Sequence, residues 1–397
     1  MTSMPNHEND RSADVVVAGH ICLDIIPQIR ADDFQFVPGG LLETGPAVLA
    51  TGGAVANTGL ALHQLGVNVR LVGKIGDDVL GGALRDLVSG DTLDLAANMV
   101  VAHGEHTSYS VILSPENRDR MFLHCPGCNA TFQAADVSDE VLASSRLFHF
   151  GYPPLLPRMY ANGGEELSAL MRRAKSLGVT TSLDLSMPDP NGPSSAVDWP
   201  AILAAVLPYV DVFLPSAEEI FWMLDRAAYE RISSGGGEFP AHVGALDLRH
   251  ISQVLLDMGC AVAGVKLGER GLYLRTASSA RFGDAGRAFL NPMASWFDRE
   301  FWSPCFDVHV VGATGAGDAT IAGFLMALLR GDDPAQCLVA ACAVGACSVE
   351  AVDAFSGVRS WPETSARLAQ GWKRCATHSG DGWVWDKTRG VFEPQAG

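Results

Sequence analysis

Gly312-Ala-Thr-Gly-Ala-Gly-Asp318 runs directly into the apolar segment Ala319 to Leu329. Small residues just ahead of a helix expose several backbone N–H groups at its positive end, and Asp318 adds a carboxylate beside them. That arrangement could neutralise charge on a transferring phosphoryl group and take the proton of an attacking hydroxyl. A plain glycine-rich turn would look the same. The stretch is not a Walker loop, since Gly73-Lys74 is followed by Ile75. Nor is it a dinucleotide fingerprint, because it lies late in the chain and Thr320 fills the third small position.

Other residues could share a site with it. Asp24 follows the β-rich run Val15 to Ala18, where α/β sheets bind ligands, although a solvated turn residue would sit there too. Asn57 falls in the first turn of a helix that follows Gly52-Gly53, placed either to face a ligand or to cap the helix. The loop Gly73-Lys-Ile-Gly-Asp-Asp78 is expected on the same rim. Ser216 and Glu219 read as a capping box. His124, Cys125 and Cys128 are a weak zinc signal with no second cysteine pair.

The elements that must position these residues alternate strand and helix. Strands are expected at Val15–Ala18, Val69–Val72, Leu147–Phe150, Thr180–Leu185, Val210–Leu214, Ala261–Lys266, Leu272–Arg275 and Val308–Val311. Helices are expected at Ala54–Leu65, Glu165–Leu177, Ala201–Leu207, from Ser216, at Ala319–Arg330 and from Asp333-Pro334 to about Val352. Thr107–Leu113 and Met121–His124 read as a hairpin across the polar turn Pro115 to Asp119, poorly suited to a buried parallel sheet and able to project as a flap. Tyr229 to Val243 looks like a flexible insertion, Thr276 to Pro304 irregular, and the C-terminal segment peripheral.

The 397 residues, 48% hydrophobic, can bury a large core. The start Met1 to Asp14 lacks the plan of a signal peptide and no apolar run spans a membrane, so a soluble, cytoplasmic protein is expected. A net charge of −17 argues against nucleic acid or anionic membrane as partner. Any anionic ligand must be held locally by amides and a few cations. The nine cysteines read as reduced.

Taken together, Gly52-Gly-Ala-Val-Ala-Asn57 through Gly66, the loop Gly73 to Gly81 and Thr314-Gly-Ala-Gly-Asp318 resemble the pfkB (ribokinase-like) carbohydrate kinases, in order, over about Val15 to Pro362. The resemblance implies a three-layer α/β/α Rossmann-like ribokinase fold with a small β-sheet lid. The domain would run from 14 to 375, the lid from about 27–49 and 103–131, with tails at 1–13 and 376–397. It further implies transfer of the γ-phosphoryl of magnesium-ATP to a small sugar. Asp318 would be the base and the amides of Gly315, Ala316 and Gly317 the anion hole. Asp24, Gly52, Gly53 and Asn57 would hold the sugar. Thr314, Lys266, Gly268, Gly271, Ser216, Glu219 and Cys347 would border the nucleotide, with Glu219 organising magnesium through water.

Departures from the family pattern shape the expectations. Gly312-Ala313 replace an Asp-Thr pair, which puts a monovalent-cation site in doubt. Ser216 replaces Asn, Ala54 replaces the Lys of ribokinases proper, and Cys22 replaces a ribose-binding Asn, so ribose is not the leading substrate. Arg120 and His124 could greet a sugar acid, or be ordinary surface residues. A nucleoside kinase, with a base stacked on Tyr109 or Phe122, and a sugar-binding regulator stand as alternatives. Open lid edges suggest a homodimer.

Overall fold

The computed structural model describes residues 13–29, 38–90, 95–114, 121–289, 293–375 and 382–395. Its strands are β1 (Ala13–Gly19), β2 (Cys22–Pro27), β3 (Ala47–Gly52), β4 (Val69–Val72), β5 (Lys74–Gly76), β6 (Val100–Ala102), β7 (Tyr109–Leu113) and β8 (Met121–Cys125). They continue with β9 (Ser145–Gly151), β10 (Thr180–Leu183), β11 (Val212–Phe213), β12 (Val262–Lys266), β13 (Leu272–Thr276), β14 (Glu300–Ser303), β15 (Trp383–Asp386) and β16 (Val391–Pro394).

Ten of these form one sheet in the order β15-β16-β14-β13-β12-β11-β10-β9-β1-β4. From β4 to β12 the neighbours run parallel, and from β12 outward they are antiparallel. The parallel strands are buried on both faces, as a sheet covered twice requires. Along β1, Val15 and Val17 enter one core and Val16 and Ala18 the other, all fully buried. The first core holds the helices Ala54–Gln64, Ala316–Leu329 and Pro334–Ser348; the second holds Glu165–Ser176, Trp199–Val206, Ala217–Leu224 and Ala245–Asp257. This is the expected three-layer architecture.

A separate four-stranded sheet, β3-β2-β7-β8, makes the lid. The β7–β8 hairpin forms as expected, pairing Ser110 with His124 and Ile112 with Phe122; its turn, 115–120, lies outside the described residues. Period-2 alternation then sorts the lid side chains. Cys22, Asp24, Gly52, Ser110, Phe122 and His124 share one face, whereas Leu23, Thr51 and Tyr109 share the other. Tyr109 therefore packs toward the core, and of the two aromatics considered for base stacking only Phe122 shares a face with Asp24.

Four sequence expectations are corrected. Val308–Val311 is no strand: β-branched residues suit a strand, but here Val310 is 59% and Val311 48% exposed, and Val311 N and Gly312 N both donate to Val349 O at the end of the later helix Pro334–Ser348. The strand in this region is β14, hidden in the stretch read as irregular, where Phe301 and Trp302 are buried against β13. Tyr229 to Val243 is not a free insertion. Arg270 Nη1 donates to Pro240 O at 2.5 Å and Val243 O at 2.7 Å and ties it down. The C-terminal segment supplies the outermost hairpin, with Trp383 packed edge-on against Tyr273 and Trp302. Residues 1–12, 376–381 and 396–397 lie outside the described set.

Candidate active site

Each of five parallel strands delivers a polar side chain at or just beyond its carboxyl end. These are His20 after β1, Tyr152 after β9, Asp184 after β10, Ser216 shortly after β11 and Lys266 at the end of β12. The chain leaves β1 for the lid and β4 on one side and returns to β9 on the other. This is the reversal point at which open α/β sheets bind ligands.

Asp318 is the centre of the arrangement. It lies in the first turn of the helix Ala316–Leu329 and is 1% exposed. Its Oδ2 accepts from Asn57 Nδ2 at 3.0 Å and from Tyr152 OH at 2.7 Å, and its Oδ1 accepts from Thr58 Oγ1 at 3.1 Å. Gly315 caps the helix at φ 73, and a β-carbon there would come within 2.4 Å of Ala354 Cβ, so only glycine fits. Ala316 N donates back to Ala313 O at 3.3 Å. Thr314 lies in the turn before Gly315.

Tyr152 was not found from sequence. It sits in the left-handed region at φ 64, ψ 49, a costly conformation for a bulky side chain that clusters at functional sites. Burial, then the charges of Asp318 and Asp184, push its phenol well above the usual range, so it stays a hydrogen-bond donor to Asp318.

Lys266 Nζ donates to Asp184 Oδ1 at 2.7 Å, and a β-carbon on Gly317 would lie 3.4 Å from that ammonium. The lysine thus stands beside the helix turn that carries Asp318. Burial pulls its pKa down, but Asp184, Glu219 and Asp318 outweigh burial and hold it above the ordinary value. Burial raises the Asp184 carboxyl despite Lys266, with Glu219 and Asp318 adding to the rise. One cation serves three carboxylates.

A cavity of about 540 Å³ opens on the far side of this turn. Ser216, Lys266, Gly268, Gly271, Ala316 and Gly317 line it, as do Glu218, Pro240, Phe306 and Thr320. The helix Pro334–Ser348 and the residue after it contribute Cys342, Gly345, Ala346 and Val349. Cys347, expected at the nucleotide, points elsewhere: its thiol is 3.9 Å from Arg367 Nη1. Glu219 closes the capping box, its Oε2 accepting from Ser216 N at 2.8 Å, and its neighbour Glu218 is the one that lines the cavity.

On the lid side, Asp24 leans over the Gly52-Gly53 turn; a β-carbon on Gly52 would meet Asp24 Oδ2 at 2.5 Å. Burial raises the Asp24 carboxyl to about 6, only partly offset by the Cys22 thiol, which donates to Oδ1 at 3.4 Å. Gly53, at φ 89, could take no side chain either, with His20 Nδ1 2.6 Å from its would-be β-carbon. Arg120 lies outside the described residues. Cys128, from the cysteine pair, is buried and its thiol donates to Lys74 O at 3.0 Å.

A doubly covered parallel sheet, a β lid and a carboxylate at a glycine-rich helix start define a sugar-kinase class. The chain belongs to the pfkB family of carbohydrate kinases, whose profile matches residues 12–360. It is accordingly an ATP-dependent carbohydrate kinase. Among its relatives are a fructokinase-2 of Oryza sativa, 24% identical over 321 residues, which are 80% of each chain, and an uncharacterized sugar kinase of Archaeoglobus fulgidus, 24% identical over 276 residues, 70% of this chain and 89% of the other. The fold matches Arabidopsis thaliana ribokinase complexed with ribose and ATP (TM-score 0.68, 18% identity, 90% of this chain and 99% of that one). It also matches Xylella fastidiosa fructokinase with bound ATP (TM-score 0.65, 20% identity, 90% and 98%).

Proposed function

We propose that the chain transfers the γ-phosphoryl of ATP to a hydroxyl of a small sugar held between Asp24 and Asp318. The observation that carries the reading is the position of Asp318, whose carboxylate is bonded to acceptor-side Asn57 while its own helix turn, at Ala316 and Gly317, lines the cavity opposite. The acceptor oxygen attacks the γ-phosphorus as the bond to the β–γ bridging oxygen breaks. ADP departs with that electron pair, and the hydroxyl proton passes to Asp318. Charge developing on the moving group meets Lys266 and the N–H groups of Gly315 and Gly317; Ala316 N joins them only when its bond to Ala313 O opens.

Asp24, Gly52, Gly53 and Asn57 hold the sugar, while Ser216, Lys266, Gly268 and Gly271 border the nucleotide in a cavity of suitable size, with Thr314 in the turn beside it. The fructokinases among the relatives support a hexose acceptor. Among the described residues no three His, Cys, Asp or Glu converge to hold a metal directly. Asp184 and Glu219 around Lys266 suit magnesium that keeps its water shell and is carried by the nucleotide phosphates, where it would neutralise phosphate charge. Gly312 and Ala313 offer a monovalent cation no side-chain oxygen; a side chain at 312 would strike Ala351 O at 2.8 Å.

The exposed edge strand β8, with Met121 48%, Phe122 56% and Leu123 49% exposed, supports a homodimer through the lid. Phe122 on the Asp24 face supports a second reading, a nucleoside acceptor. Incubation with magnesium-ATP and a panel of hexoses, pentoses, sugar acids and nucleosides, with ADP measured, tests the activity and the class of acceptor. ADP formed with a sugar is the expected result. Tight sugar binding without ADP across the panel would leave a sugar-binding regulator instead.

A further inference from the structure

The buried polar atoms near the Gly52-Gly53 turn that have no hydrogen-bond partner include His20 Nδ1, His20 Nε2 and Asn57 Oδ1. His20 is 3% exposed, and both ring nitrogens are idle. A buried imidazole normally satisfies at least one of them, and leaving both unmade is costly. The backbone fixes its place, since His20 N donates to Gly151 O at 3.2 Å and His20 O accepts from Val55 N at 3.1 Å.

The ring is aimed at the acceptor side of the site. Its centroid is 5.4 Å from that of His124 and 6.3 Å from that of Tyr152, the donor to Asp318. His124 Nδ1 is 2.9 Å from Ser110 Oγ, on the lid face that carries Asp24. We propose that His20 and His124 form the hydroxyl-binding wall of the acceptor pocket and that this wall selects an uncharged polyhydroxy sugar over a sugar acid.

The argument is one of matching donors, acceptors and charge. A neutral imidazole offers one donor and one acceptor, and so does a hydroxyl. Burial, followed by His124, lowers the His20 pKa to about 3, and burial lowers that of His124, so both rings are uncharged near neutrality. Burial thus disfavours the charged form of His124, which was considered from sequence as a cation for acidic substrates. Asn57 Oδ1 adds an acceptor, its amide nitrogen being held by Asp318. A carboxylate only accepts, and in this ring of described residues it would face Asp24 and Asp318 with no permanent positive charge. The ammonium of Lys266 is paired with Asp184.

The inference rests on the kinase reading of the same site, but binding measurements separate the two. Calorimetry with D-fructose, D-glucose and D-ribose against D-gluconate and D-galactonate should show a neutral sugar bound at least about tenfold more tightly than either acid. His20→Phe keeps the ring and removes both nitrogens. It should weaken that sugar by about 10- to 100-fold, with ATP affinity within about twofold of wild type. His124→Phe should give a smaller loss in the same direction and serves if His20→Phe fails to fold. An acid bound as tightly as the neutral sugar, no neutral sugar bound at all, or a folded variant with unchanged sugar affinity overturns the proposal. Binding with this pattern but without ADP would sink the kinase reading alone, and ADP formed preferentially with gluconate would sink this one alone.

Discussion

The cavity side of Asp318, proposed above to hold phosphate, is made of backbone and tightly packed helices, whereas the lid side, proposed to hold the acceptor, is made of side chains on a thin sheet. Around Asp318 the two core helices approach so closely that a β-carbon on Gly345 would meet Thr320 Oγ1 at 2.3 Å and one on Gly323 would meet Ala340 O at 2.8 Å. Nothing there can shift without repacking a core. On the lid, Asp24, Ser110 and His124 are brought together by strand register, and the outer strand is open to solvent. On the proposed reading, the charge handling that every phosphoryl transfer shares is thus built rigidly. Choice of acceptor is built on a part that can be redrawn by changing side chains.

The largest expected effect lies on the rigid side. Asp318→Asn should lower turnover by a factor on the order of a hundred or more with substrate affinities nearly intact, as single-turnover kinetics and binding would show; near-normal turnover would remove Asp318 from the mechanism. Lys266→Met should come next, destabilising the fold by about 3–5 kcal/mol in denaturant titration because it strands the buried Asp184 carboxylate. Adding Asp184→Asn should restore much of that loss, and no restoration would mean that the two residues are not coupled. Tyr152→Phe keeps the ring and removes the bond to Asp318, so a loss of about 1–3 kcal/mol of stability and about tenfold of turnover is expected. A Phe variant as active as wild type would confine Tyr152 to packing.

The acceptor side should respond to pH. The folded pKa of Asp24 is raised from 3.8 to about 6, so the folded state holds a proton that the unfolded chain releases. The resulting stability is present below about pH 4 and disappears as pH rises through 6. Sugar affinity should run the other way, tightening several-fold as the carboxylate ionises across pH 6. Calorimetry from pH 5 to 8 on wild type and Asp24→Asn checks this, and a flat wild-type profile would count against Asp24 as the anchor. The smallest effect is expected at Leu123→Asp on the open lid strand, with a shift toward monomer in light scattering and little change in turnover; an unchanged dimer would place the interface elsewhere.

The same contrast governs what the sequence could reveal. A backbone cradle leaves its mark in spacing, because Gly53 and Gly315 need positive φ and tight clearance, and the glycine motifs therefore announced both ends of the site. His20, Tyr152 and Asp184 were missed because nothing in their own type or spacing is unusual. Their common signal is position, immediately beyond the end of a parallel strand, and it becomes visible only once the strands are placed. Local pattern misled at Val308–Val311, where β-branched residues serve an exposed loop tied to a helix end. It also misled at 300–303, where an aromatic strand needed the C-terminal hairpin, 390 residues into the chain, to complete its sheet.

The bonds from Asn57 and Thr58 to Asp318 join residues 261 and 260 positions apart. The Asp318 carboxylate cannot be oriented until the N-terminal unit and the late helical hairpin have met across the finished sheet. Contacts of such sequence separation form slowly. Recovered activity in a refolding experiment should therefore trail the recovery of helical signal. Activity here times the closing of the whole chain, not the appearance of its parts.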